Sequence, residues 1–161
     1  MEGYASLISY TKKMYRTNHK VQTLAGVTAL QHKSLESMYG ALKETITLGY
    51  KCLMVSDPGP DDLNQLCMSL EMCCPNKNIK VAHVSSKEDQ DIKDVFNFTN
   101  DALKSQRVDA LLCSPTITNG IDFNYFESVF VLTNSTLHSP NLRYQALRGE
   151  RQPQFIHFYL S

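Results

Sequence analysis

The sequence predicts an α/β fold, in which a mostly parallel β-sheet carries helices on both faces as a three-layer sandwich. Three observations lead there. Apolar runs of strand length recur from residue 51 onward, stretches with helical spacing alternate with them, and turn-forming residues separate the two kinds. Strands joined by helical crossovers pair in parallel, and strands buried on both faces read as continuous apolar runs.

Residues 1–50 read as a helical N-terminal segment packing on the core, and residues 51–161 as the α/β domain. Leu7, Ile8, Met14 and Tyr15 share one helical face, as do Leu35, Met38 and Leu42. Gly40 weakens the second of these helices, and Gly49 is placed to cap its end. Cys52-Leu-Met-Val-Ser is the first apolar run, ended by Asp57-Pro-Gly-Pro. The next helix sets Leu63, Leu66, Cys67 and Leu70 on one stripe and stops before Pro75. Residues 79–84 form a second strand, followed by a helix from Glu88 to about Leu103 that turns Ile92, Val95, Phe96 and Thr99 inward. Residues 108–113 and 129–132 are further strands, 141–150 a short helix and 155–160 the last strand. Right-handed crossovers would then bring the loops after the strands to one common edge, where such sheets bind ligands.

The chain has 161 residues, 42% hydrophobic and 20% charged, enough for one domain with a substantial core. No apolar run approaches the ~20 residues of a membrane span, and Met1-Glu-Gly-Tyr does not open a signal peptide. An intracellular protein without a membrane partner is expected. Five cysteines, with no Cys-x-x-Cys pair and an adjacent Cys73-Cys74, read as reduced thiols rather than a metal site. The five histidines are too scattered to define a metal centre or a triad, and His157 in the last strand reads as a satisfied core histidine. Net charge is zero but uneven: +4 over residues 1–51, −5 over 52–101 and +1 over 102–161. That excludes a broad basic footprint, so nucleic-acid contact would have to be local. Lys12, Lys13, Arg16 and Lys20 read as a solvated helix face before a nucleic-acid contact.

Two segments carry candidate chemistry. Ser114-Pro-Thr-Ile-Thr-Asn-Gly-Ile-Asp122 follows the third strand of the domain directly. Ser114 and Thr116 can donate to a phosphate without bulk, Gly120 permits a tight backbone turn, and Asp122 could accept from a ribose hydroxyl. Taken alone, the segment reads as a plain polar turn before a phosphate site. In the second segment, Gln145, Arg148 and Arg151 recur every three residues and so lie on adjacent parts of one helical surface. Arginine's fixed, always-charged fork suits a phosphoryl group in transit; taken alone, the segment reads as a solvated basic face paired with Glu150 before that.

In this order the two segments resemble the second RecA-like motor domain of superfamily-2 helicases, over about residues 51–160. Ser114 followed by Gly120-Ile-Asp122 is similar to motif V, Gln145 to Arg151 to motif VI, and Leu53-Met-Val-Ser56 occupies the place of motif IV. Ser114-Pro-Thr-Ile-Thr-Asn-Gly, His138-Ser-Pro-Asn and Tyr144-Gln-Ala-Leu look most like the replication origin-binding helicases of herpesviruses and other large DNA viruses. The resemblance implies a domain that closes on ATP and Mg²⁺ held by a first RecA-like domain of the same polypeptide. Arg148 and Arg151 would be catalytic, Gly120, Asp122 and Gln145 would contact the nucleotide, and Ser56, Ser114 and Thr116 would hold a nucleic acid, DNA before RNA. Replication proteins are further partners it implies, and a host nucleus or cytoplasmic replication site the setting.

Departures temper this. Arg148 precedes Gly149 where the motif has glycine first, and Gln152 stands where a further arginine is usual. Arg151 is one residue short of that position, a rotation of about 100° on a helix. The chain contains neither a Gly-x-x-x-x-Gly-Lys-Ser/Thr loop nor an Asp-Glu-x-His box, so alone it is expected not to hydrolyse ATP and to be a piece of a larger polypeptide. The rival readings are a degenerate helicase-like domain used for protein docking, and an unrelated α/β transferase, which would need a glycine-rich first turn that Asp57-Pro-Gly-Pro does not supply.

Overall fold

The computed structural model describes residues 26–56, 60–82, 99–114, 123–133 and 153–160. Six strands form one sheet: β1 (Thr28–Gln31), β2 (Cys52–Ser56), β3 (Ile79–Ala82), β4 (Ala110–Cys113), β5 (Ser128–Thr133) and β6 (Phe155–Leu160). Their spatial order is β1-β6-β5-β2-β4-β3, and every neighbouring pair is parallel. Three described helices accompany them: α1 (Leu35–Thr47), α2 (Pro60–Cys73) and α3 (Asn100–Ser105).

The strands form where the apolar runs are. The five residues of β2 are all buried, as are the four of β4. Alternation within those runs divides the side chains between two cores. Leu53, Val55, Leu111, Cys113, Val129, Val131, Ile156 and Phe158 face one side, where they meet Leu103 of α3 together with Phe123 and Phe126. Cys52, Met54, Ala110, Leu112, Phe130 and Leu132 face the other, against Met38, Leu42 and Ile46 of α1 and Leu63 and Leu70 of α2. Passing from β2 to β3 and back from β3 to β4 reverses direction across the sheet, so right-handed crossovers must put α2 and α3 on opposite faces. They do, and the three-layer RecA-like sandwich follows.

Each helix has a local cause. Ser34 caps α1, its hydroxyl accepting from Ser37 N, and Gly49 at φ +96° ends it, as the sequence leads one to expect. Losing the Ser34 cap would cost about 1 kcal/mol. The stripe of α2 packs as read, with Leu63 and Leu70 buried and Leu66 and Cys67 partly so.

Two expectations are corrected. Residues 1–50 are not helical throughout, because Thr28–Gln31 is a strand paired along its length with β6. Its Thr-Ala-Leu-Gln, exposed except at Ala29, has little apolar signal of its own, and the pairing supplies the conformation that local sequence does not. Thr99 does not face inward from mid-helix. It caps α3, its Oγ1 accepting from Ala102 N, because a short hydroxyl side chain competes for the free amides of a helix start. Residues 141–150 and the other inward positions proposed for the helix before Thr99 lie outside the described residues.

Candidate functional site

Because all six strands run the same way, their carboxyl ends share one edge. The chain leaves β2 for β3 on one side and β5 for β6 on the other, so the sheet's topological switch lies between β2 and β5. Open α/β sheets bind ligands in the crevice outside such a point. The last β2 residue there is Ser56, in register with Leu132 of β5. On the other flank, Val55 pairs with Cys113, which puts Ser114 level with Ser56 on the neighbouring strand. A hydrogen bond from Ser114 N to Ala82 O extends the β3–β4 ladder to that residue and fixes its backbone.

Both hydroxyls are in an unusual state. Ser56 is fully buried and Ser114 8% exposed, and neither Oγ has a hydrogen-bond partner among the described residues. An unpaired buried polar group costs about 1–3 kcal/mol. Two such groups side by side at the crevice are the donor chemistry that a phosphate oxygen accepts, presented without bulk. Nearby Cys113 is no competing nucleophile, since burial pushes its thiol up to about 12.

Of the residues singled out from the sequence, the structure brings Ser56 and Ser114 together. Thr116, Gly120, Asp122, Gln145, Arg148 and Arg151 lie outside the described residues, so their arrangement at the crevice rests on the sequence alone. Among the described residues no group of three metal-binding side chains converges. All five cysteines are free thiols.

The opposite, amino edge is tied shut. Lys51 Nζ donates to Asp109 Oδ1 at 2.8 Å, and Asn78 N donates to Asp109 Oδ2 at 2.8 Å. Lys51 N donates to Glu127 Oε2 at 2.9 Å, and Tyr125 Oη donates to Val108 O at 2.6 Å. Burial alone would push the Asp109 carboxyl up, but the hydrogen bonds from Lys51 and Asn78 N and the Lys51 and Lys77 charges outweigh it and hold the carboxyl below its ordinary range. Burial likewise lowers Lys51, and Asp109 more than restores it, leaving the ammonium above its usual value. This network was not recognised in the sequence, because its members are distant residues that only the strand order gathers.

A second cluster also escaped the sequence reading. His157 of β6 lies against Phe130 with ring centroids 4.1 Å apart and planes 7° from parallel. Its Nδ1 is 2.9 Å from His32 Nε2, and His32 Nδ1 is 3.0 Å from Ser37 Oγ. One imidazole must donate and the other accept, so the pair is compatible with neutral rings. Burial, and then the neighbouring His32, lower His157 to about 4, while burial also lowers His32. His157 is thus the satisfied core histidine expected, and its partner comes from the turn after the strand that local sequence did not reveal.

No known family profile matches the chain. A protein of Escherichia phage T5 named "Putative replication origin binding protein" is 38% identical over all 161 residues, which make up 17% of its length. The chain therefore spans about a sixth of that relative. Among solved structures, the C-terminal domain of the DEAD-box protein Dbp5 superposes with a TM-score of 0.59 at 11% identity, over 85% of this chain and 78% of that one. The Mycobacterium smegmatis helicase Lhr, bound to single-stranded DNA and AMP-PNP, gives 0.57 at 13% identity, over 83% and 19%. The Pyrococcus furiosus Hef helicase domain gives 0.52 at 13% identity, over 78% and 26%. At these identities the likeness establishes the RecA-like fold.

Proposed function

We propose that the chain is the second RecA-like motor domain of an ATP-dependent helicase acting in DNA replication, in the manner of viral origin-binding helicases. The reading is carried by one observation: two adjacent buried hydroxyls, Ser56 and Ser114, stand at the switch point of a RecA-like sheet with no partner among the described residues. The phage T5 relative and the helicase folds support it. In this reading Ser56, Ser114 and Thr116 grip backbone phosphates of a nucleic acid. Arg148 and Arg151 stabilise charge on the transferred phosphoryl group, and Gly120, Asp122 and Gln145 contact the nucleotide. ATP and Mg²⁺ are held mainly by a first RecA-like domain of the same polypeptide. Cleft closure then moves one strand-gripping surface relative to another.

The test uses the complete polypeptide that carries this chain. Arg148→Ala or Arg151→Ala is expected to slow DNA-stimulated ATP turnover by on the order of 10³-fold, the lower range for such arginines. Replacing Ser56 and Ser114 by Ala is expected to weaken single-stranded DNA binding at every salt concentration and to leave its salt slope unchanged, because neutral hydroxyls release no counterions. The reversed Arg148-Gly149 order favours a second reading, a non-catalytic docking domain. Unchanged ATP turnover in both arginine variants would select it.

A further inference from the structure

A weakly held strand is joined here to a firmly held helix. Among the described strands β1 pairs with β6 only. Thr28 N donates to Gln154 O at 3.0 Å at one end of that ladder, and His32 N donates to Phe158 O at 2.7 Å at the other. Of the four β1 residues only Ala29 packs on the core, with Val27 just before the strand, and Leu30 is 42% exposed. Burial so slight puts β1 toward the low end of the local stabilities within one fold. Helix α1, by contrast, is anchored by Met38, Leu42 and Ile46, all fully buried. The turn at residues 32–34 joins the two.

A side-chain bond ties that turn to the sheet. His32 Nε2 lies 2.9 Å from His157 Nδ1, and the two rings stack with centroids 5.2 Å apart. His157 stacks in turn on Phe130, so the contact reaches from the turn through β6 to β5. The bond needs one donor and one acceptor. A first added proton is tolerated, because Ser37 Oγ can accept from His32 Nδ1. Once both rings are charged, both facing nitrogens carry hydrogen, and two donors of like charge oppose each other.

The surroundings do not offset this. β5 brings no titratable side chain to the pair, and β6 itself brings Tyr159. Helix α1 and the turn before it carry Lys33, Glu36, Tyr39, Lys43 and Glu44. Burial and then His32 lower His157, and burial lowers His32, with no part from the α1 charges.

We propose that the His32–His157 bond is an acid-sensitive latch. Charging both rings breaks it and releases residues 26–32 from β6, while α1 stays docked through its buried face.

Hydrogen exchange of the full 161-residue chain tests this, corrected for the pH dependence of a free amide. Thr28 N and His32 N report on β1, and Cys52 N, bonded to Asp109 O, reports on the centre of the sheet. At pH 7 the two β1 amides are expected to be less protected than Cys52 N, because they open locally. Between pH 7 and pH 5 their protection should fall about 20-fold. That is the linkage effect of a ring that titrates at about 4 when latched and at 6.5 when released. His157→Phe keeps a ring against Phe130 and cannot titrate, so it should abolish the fall. Equal protection of the β1 amides and Cys52 N at every pH would overturn the proposal, since β1 would then leave only on global unfolding. Protection of β1 that does not change with pH would overturn it too, as would a fall that persists in His157→Phe.

Discussion

The two edges of this sheet are built on opposite principles. At the amino edge, Lys51, Asn78, Asp109, Tyr125 and Glu127 join the strand starts through hydrogen bonds of 2.6–2.9 Å. At the carboxyl edge, Ser56 and Ser114 are buried and find no partner among the described residues. The polar groups of that network are spent on one another, whereas in the proposed function the two hydroxyls of the carboxyl edge are held in reserve for a ligand that completes their bonding. Ser128 limits the contrast. It opens β5 at the amino edge and is also buried without a partner among the described residues, so position at the switch point, and not the missing bond alone, singles out Ser56 and Ser114.

Four expected outcomes test the comparison. The largest concerns neither edge but the histidine pair between them. His157 is lowered from 6.5 to about 4, so above 6.5 both folded and unfolded chains are neutral there. As pH falls from 6.5 to 4 the unfolded chain takes up a proton that the folded one resists. Stability should drop by on the order of 3 kcal/mol over that window and level off below it, as chemical denaturation at stepped pH would show. His157→Phe should flatten that window. Asp109 acts later: its depressed carboxyl stabilises the fold above its unfolded value and loses that contribution as pH falls through the folded one.

Next, Asp109→Ala should cost about 2 kcal/mol, because it strips the partners from Lys51 Nζ and Asn78 N. Strand affinity per folded molecule should not change. Third, Ser56→Ala and Ser114→Ala should each hold or raise stability, by up to about 1 kcal/mol, while weakening DNA binding. Opposite signs for stability and binding would be the signature of a reserved donor; a loss of both would mean the hydroxyls serve packing. The smallest effect is Ser128→Ala, expected to raise the melting temperature slightly with no change in DNA binding. A binding defect there would erase the distinction between the edges.

Sequence carried the central strands well. β2, β4 and β5 are apolar runs because both faces are covered, and that burial is what makes such runs legible. β1 was missed for the converse reason: only Ala29 of its four side chains packs on the core, and pairing with β6 sets its conformation. The His32–His157 contact disappeared with it, since 125 residues separate the two rings in the chain. Ser56 and Ser114 could be picked out as small hydroxyls at strand ends. Their lack of partners could not, because what surrounds a side chain is set by strand order. The nucleotide-facing assignments at Gly120, Asp122, Gln145, Arg148 and Arg151 stand on motif resemblance, which reads spacing but not placement.

The pairing of β1 with β6 also has a consequence for how the protein is made. A ribosome delivers β1 well before β6, its one neighbour among the described strands, so until β6 emerges β1 lacks that partner. The central strands can assemble as they emerge, but the sheet gains its outermost member only once Phe155–Leu160 has left the exit tunnel. Nascent chains arrested before that point should hold a sheet that stops at β5, with β1 still open to proteolysis.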